Sequence, residues 1–136
     1  MYHRVMGVDY GDKRVGIALS DPLKIIASAF EVVQNKSQSG VIDRLLEIIR
    51  EYDVDEIVMG LPLQMDGEIG DRALLHKQFG EMLSNASGID VKYLDERLTS
   101  VEAEEILIEG GVGRDKRKGL IDKVAAQIIL QSYLDK

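Results

Sequence analysis

The sequence predicts an α/β fold built on a mixed five-stranded sheet with helices on both faces, and three observations carry that expectation. Three apolar runs joined by short turns open the chain, at Val5–Val8, Val15–Ser20 and Ile25–Val33. Two further short apolar runs, Asp55–Gly60 and Ile89–Leu94, then alternate with stretches of helical spacing. The last stretch, Leu120–Leu134, is apolar on most faces, as a helix packed on a sheet would be. The order is therefore β-β-β-α-β-α-β-α-α. A three-stranded antiparallel meander comes first, and right-handed crossovers make the first, fourth and fifth strands parallel.

Each element has its own local signal. The first strand ends on Asp9, and Tyr10–Arg14 forms the turn into the second. Pro22 and Lys24 mark the turn before the third. Ser37 and Ser39 are helix-start residues, and Val41, Ile42, Leu45, Leu46, Ile48 and Ile49 stripe a helix to about Tyr52. After the fourth strand, LPLQMDGEIGD is a loop punctuated by Pro62, Gly67 and Gly70. Gly60 and Pro62 should shape the wall of any site there, and the Asp66-Gly67 pair reads as a turn, with Asp66 as an alternative metal ligand. Leu75, Phe79, Met82, Leu83 and Ala86 stripe the second helix. Thr99 and Glu102 form a capping box for a third, which carries Ala103, Ile106 and Leu107 inward and stops at Gly110 and Gly111. The segment GVGRDKRKG reads as a mobile basic loop ahead of the last helix.

Length and composition limit the chemistry. The 136 residues suit a single domain, 1–136, with a core of its own, and 45% hydrophobic with 30% charged residues is ordinary globular composition. No cysteine is present, which removes disulfides, thiolate metal sites and cysteine nucleophiles together. His3 and His76 are too far apart in sequence to suggest a metal pair, so a bound metal would be held by oxygen, as Mg2+ or Mn2+ is. No apolar run approaches the length of a membrane span, and the first residues have a strand pattern without a signal-peptide layout, so a cytoplasmic protein is expected. The net charge is −7, which gives no global support for nucleic-acid binding. RDKRK, however, sets four basic residues against one acidic, a local +3 that leaves the rest of the chain at −10. Such a patch can engage phosphates.

In open sheets with parallel strands, ligands gather beyond the carboxyl ends of those strands. Asp9 lies at one such end, the Gly60 loop at a second, and Asp95 with Glu96 at the third. Asp122, early in the last helix, shares a face with Ala125, Ala126 and Ile129 that small side chains would let approach the sheet. Each acid alone has a plainer reading: Asp9 is a turn residue before Gly11, and Asp122 a helix-start acid favoured by the macrodipole. Together, Asp9, Glu96 and Asp122 would make a carboxylate cluster that is costly to assemble without cations. Two divalent ions roughly 3.5 to 4 Å apart in such a cluster could bridge a scissile phosphate and hydrolyse it. Adjacent strand residues face opposite ways, so Asp95 competes with Glu96 for the site, and Glu96 is preferred for its reach.

The motifs GVDYGDKRVGIALSD, MGLPLQMDG, DERLTS and IDKVAAQIILQSYLD, in that order over Val5–Asp135, resemble the YqgF/RuvX family of ribonuclease H-like nucleases. That resemblance implies a ribonuclease H-like fold, a cytoplasmic, divalent-metal nuclease dependent on Mg2+ or Mn2+, and a role in maturing the 5′ end of the small-subunit (pre-16S) ribosomal RNA. Carried over by position, its acidic residues fall on Asp9, Glu96 and Asp122, which would be both catalytic groups and metal ligands. Asp12 departs from the hydroxyl residue many relatives carry after the DxG, and is expected to cap the hairpin turn instead.

The available phosphate contacts are Lys13, Arg14, Arg72, Arg97, Arg114, Lys116, Arg117 and Lys118, for which a solvated surface role is the plain alternative. Aromatic residues make up 5% of the chain, so base stacking is not evident and recognition would rest on backbone and shape. The expected partner is nucleic acid, either structured RNA or branched DNA, met by a monomer or a homodimer. Junction cleavage on DNA, a catalytically silent rRNA-binding factor of the same fold, and a sugar-kinase or actin-like nucleotide binder are the competing functions.

Overall fold

The computed structural model describes residues 3–64, 66–97 and 99–136, with the side chains of Ser100 and Lys118 outside the described set. Five strands form one sheet in the order β3-β2-β1-β4-β5. The strands are β1 (Arg4–Tyr10), β2 (Arg14–Ser20), β3 (Ala27–Gln34), β4 (Val54–Leu61) and β5 (Val91–Asp95), and the helices are α1 (Gln38–Glu51), α2 (Asp71–Ser87), α3 (Thr99–Glu109) and α4 (Arg114–Leu134). β1, β2 and β3 pair antiparallel, whereas β1–β4 and β4–β5 are parallel. The expected order and strand directions are those observed.

Strand alternation divides the core in two. Met6, Val8 and Tyr10 of β1, with Val15, Ile17 and Leu19 of β2 and Ile57 and Met59 of β4, face α1 and α2. Val5, Ala18 and Val58 point the other way, toward Ala126, Ile129 and Leu130 of α4. Asp9 alternates onto this second face, and so does its antiparallel partner Gly16. The face is paved with glycine where α4 crosses it. A Cβ at Gly7 would meet Leu130 Cβ at 2.7 Å, and one at Gly16 would run into the carbonyl of Asp122. The helix therefore lies almost on the strand backbones, and α3 packs against α4.

Local signals work as their chemistry dictates. Ser37 caps α1, its Oγ accepting from the Gly40 N–H at 3.1 Å. Gly88 closes α2 in the left-handed region at φ 75°.

Three helix expectations need correction. In α2 the buried residues are Ala73, His76, Phe79, Gly80 and Leu83, while Leu75 and Met82 are 47% and 39% exposed. The inward stripe includes a histidine and a glycine, which a search for large apolar residues passes over. In α3, Ala103 and Leu107 are buried as expected but Ile106 is exposed. RDKRK is not a loop. It forms the opening turns of α4, with Arg117 N–H donating to the Gly113 carbonyl at 3.0 Å, and Gly119 sits inside the helix. Arg, Lys and Asp are competent helix residues, and Gly113 as N-cap places the break earlier than the charge run suggested. Asp122 consequently lies in the third turn of α4, where the macrodipole no longer accounts for an acid. Among the described residues no helix is long and apolar enough to cross a membrane.

Candidate active site

β1 and β5 deliver acids to the same end of the sheet, and α4 brings a third across it. Asp9, Glu96 and Asp122 line one cleft of about 360 Å3, together with Tyr10, Pro62, Leu63, Arg72, His76, Arg97, Thr99 and Val101.

Glu96 and Asp95 separate as strand alternation requires. Asp95 is turned outward and held by Arg97, accepting from its Nη2 at 2.7 Å and from its backbone N–H at 3.0 Å. Glu96, its side chain 8% exposed, turns into the cleft. It fits there because residue 60 is glycine: a Cβ at that position would overlap the Glu96 carboxylate and stand 2.6 Å from Ile129 Cδ1. The Glu96 N–H donates to the Leu61 carbonyl at 3.1 Å, tying the chain after β5 to the end of β4.

The carboxyls of Asp9 and Glu96 lie close enough to act on each other. Burial pushes the Asp9 carboxyl up, and the nearby Asp122 charge adds to this, while Arg72 opposes it. Burial also pushes Glu96 up, followed by the charge of Asp9. Two desolvated carboxylates this close cannot both ionise cheaply, so the pair retains a proton. Asp122 is instead neutralised by Arg14, whose Nε donates to Oδ2 at 2.8 Å.

His76 was not foreseen as part of this site. It is 4% exposed, its ring 5.3 Å from that of Tyr10 in an edge contact, and Tyr10 in turn stacks on Phe79 at 4.3 Å. Its Nδ1 lies 3.2 Å from the Gly60 carbonyl and 3.6 Å from Glu96 Oε1. Burial lowers its pKa, so the ring is neutral near neutral pH and Nδ1–H donates to Gly60 rather than ion-pairing with Glu96. The available signal was helical spacing, since His76 follows Ala73 and precedes Phe79 by three residues each.

The expected phosphate contacts divide. Arg72 and Arg97 line the cleft, and Arg14 touches it through Asp122. Lys13 sits exposed at the hairpin, Lys116 is exposed in the first turn of α4, and Arg114 and Arg117 line a neighbouring pocket. The Lys118 side chain lies outside the described residues. Asp66 makes the expected turn, its Oδ1 accepting from the Glu68 N–H at 2.9 Å. Asp12 does not cap the hairpin: it is exposed, forms no side-chain hydrogen bond among the described residues, and acts on His76 only through its charge. Asn35 does that work, donating from Nδ2 to the Gly11 carbonyl at 2.9 Å.

Whether these residues suit a divalent cation follows from their donor chemistry. The set offers only carboxylate oxygens, and the raised pair carries repulsion that a cation would relieve. Among the described residues no three His, Cys, Asp or Glu side chains stand close enough to hold one ion, and Asp122 is paired with Arg14. The donor chemistry of Asp9 and Glu96 thus fits a shared cation, whereas Asp122 is engaged by Arg14.

A family model described as "RuvX: Holliday junction resolvase" matches residues 3–136. The chain belongs to the RuvX family. A relative from Halothermothrix orenii carrying the name "Putative pre-16S rRNA nuclease" is 48% identical over 97% of this chain and 94% of its own length. RuvC of T. thermophilus, solved in complex with a Holliday junction substrate, superposes with a TM-score of 0.60 at 16% identity, covering 98% of this chain and 94% of that one. The Fowlpox virus Holliday junction resolvase gives 0.60 at 14%, covering 97% of each. The fold is thus the RuvC-like, ribonuclease H-like one, and RuvX is a family of phosphodiester-hydrolysing enzymes with that fold.

Proposed function

We propose that this RuvX member is a divalent-metal-dependent nuclease that acts on structured RNA and trims the 5′ end of the small-subunit ribosomal RNA precursor in the cytoplasm. The observation that carries the reading is the arrival of Asp9, Glu96 and Asp122 in one cleft from three separate elements. Asp9 and Glu96 are the metal-holding pair and Asp122 completes the set. Bound Mg2+ or Mn2+ would supply an activated water and charge stabilisation at the leaving oxygen.

The chain's own residues prepare that chemistry. Glycine at 60 lets Glu96 approach, and His76 braces the end of β4 through the Gly60 carbonyl. Arg72 offsets negative charge on the acidic pair and stands in the cleft wall where a substrate phosphate would pass. Pro62 and Leu63 make an apolar lip on the same cleft, which limits water around the reacting phosphate.

The test uses two substrates at one salt concentration: a ribosomal RNA precursor spanning the 5′ leader junction, and a four-way DNA junction. Cleavage of the RNA in Mg2+ or Mn2+, lost in Asp9→Asn and Glu96→Gln without loss of fold, is the expected result. Preference for the DNA junction would replace RNA maturation with junction resolution, the activity named in the family's description. Inactivity on both with tight RNA binding would make the chain a silent rRNA-binding factor.

A further inference from the structure

Next to the acidic cleft lies a second cavity, of about 420 Å3, lined by Arg14, Glu104, Arg114, Arg117 and Ile121. In a chain of net charge −7 it gathers three guanidinium groups against one carboxylate. Two of them are incompletely used. Arg117 Nη1 donates to the Val112 carbonyl at 3.1 Å, but its Nε stands 3.8 Å from Glu104 and is a buried donor without a hydrogen-bond partner among the described residues. A charged donor left that way is costly unless something accepts from it. Arg114 is exposed and has no ion-pair partner among the described residues. Arg14 joins the two cavities, since it lines this one while its Nε holds Asp122 at 2.8 Å in the other.

We propose that this pocket is an anion subsite that seats a backbone phosphate of the nucleic acid adjacent to the one presented to Asp9 and Glu96, and that Arg14 is shared between that phosphate and Asp122. Planar guanidinium forks from β2 and α4 converge on one volume, the arrangement that matches a tetrahedral, doubly accepting oxyanion. A phosphate there would be taken by Arg114, which is exposed and lines the cavity. It would also compete with Asp122 for Arg14, so that seating substrate loosens the grip on the third acid of the cleft. The identity of the ligand rests on the nuclease reading above; the subsite itself rests on the pocket.

The experiment measures binding of a fluorescein-labelled RNA hairpin in EDTA, where no cleavage occurs, as a function of KCl concentration. Arg114→Gln, an exposed substitution, lowers the slope of log K against log[KCl] by about one and weakens binding several-fold, while Lys36→Gln in the loop before α1 changes neither. Arg117→Lys keeps the charge but not the fork, so affinity falls with the slope unchanged. Arg14→Gln combined with Arg114→Gln loses less than the sum of the two, because both serve one phosphate. A wild-type slope and affinity in Arg114→Gln, or strict additivity with Arg14→Gln, overturns the subsite. Absence of cleavage by the wild-type protein in Mn2+ would instead overturn the nuclease reading and leave the binding result standing.

Discussion

At the scale of single residues, the position of Glu96 depends on an atom that is absent. Gly60 is buried one residue before the end of β4, and the space its side chain would fill is taken by the Glu96 carboxylate on one side and Ile129 of α4 on the other. Gly60→Ala should therefore act on both. Forcing a methyl into that contact costs about 1–3 kcal/mol of stability through overpacking. It should also displace Glu96 enough to reduce cleavage roughly a hundredfold, the scale of an ångström's misplacement of a reacting group. Chemical denaturation and single-turnover cleavage read the two separately, and full activity in a folded Gly60→Ala protein would mean that Glu96 does not take part. His76→Phe tests the neighbouring brace. Its ring stays between Tyr10 and the cleft, but the Nδ1 donor to Gly60 is gone, so cleavage should fall by about tenfold or more with the metal requirement unchanged.

Among the elements, α4 differs most from what the sequence suggested, and its basic start is open to a direct check. Gly119 lies within the helix, and a Cβ there meets nothing within 4 Å among the described residues. Gly119→Ala should accordingly stabilise the protein by about 0.5–1 kcal/mol, since alanine restricts the unfolded chain and favours helix. A loop at RDKRK would give no such gain, so an unchanged or lowered midpoint in denaturant would count against the helix. The reason the segment misleads is physical: glycines on either side of a charge run are as suited to a loop as to an N-cap and an exposed helical position, and only the packing of Ala125, Ala126 and Ile129 decides. Strands were more legible. Short apolar runs bounded by turn residues marked β1, β2 and β4 to within a residue or two, and parallel order followed from chain direction, which already placed Asp9 and Glu96 at one end of the sheet. What those runs could not show was the role of Gly7 and Gly16, because a missing side chain gives no signal of the helix that rests on it. Nor could spacing reveal that Asp122 is engaged by Arg14, a pairing between residues 108 positions apart.

Across the whole molecule, two groups of carboxylates respond to pH in opposite senses. Arg44 holds Glu31 below its ordinary value, Lys24 and then Tyr133 do so for Glu56, and Arg97 does so for Asp95. Lowered acids contribute stability above the ordinary carboxylate range and lose it as pH falls through that range. These pairs are partly exposed, so each is worth well under about 1 kcal/mol. Asp9 and Glu96 are raised, chiefly by burial, and contribute stability that is present at low pH and lost progressively as pH rises from the ordinary carboxylate range past neutrality, since Glu96 is pushed up to about 9. Their burial makes this the larger effect. In EDTA the protein should therefore be most stable on the acid side of neutral, with Tm declining as pH rises from about 5 to 8, and Asp9→Asn should flatten that decline. A cation binding the ionised pair reverses the trend, because it binds the deprotonated carboxylates of the folded state and competes with the shared proton. Added Mn2+ should accordingly raise Tm by several degrees at pH 8 and by little at pH 5, moving the optimum upward. Calorimetry over that range with and without Mn2+ decides it: a Tm that climbs steadily to pH 8 in EDTA, or a Mn2+ shift of equal size at both ends, would mean that Asp9 and Glu96 neither share a proton nor bind the ion together.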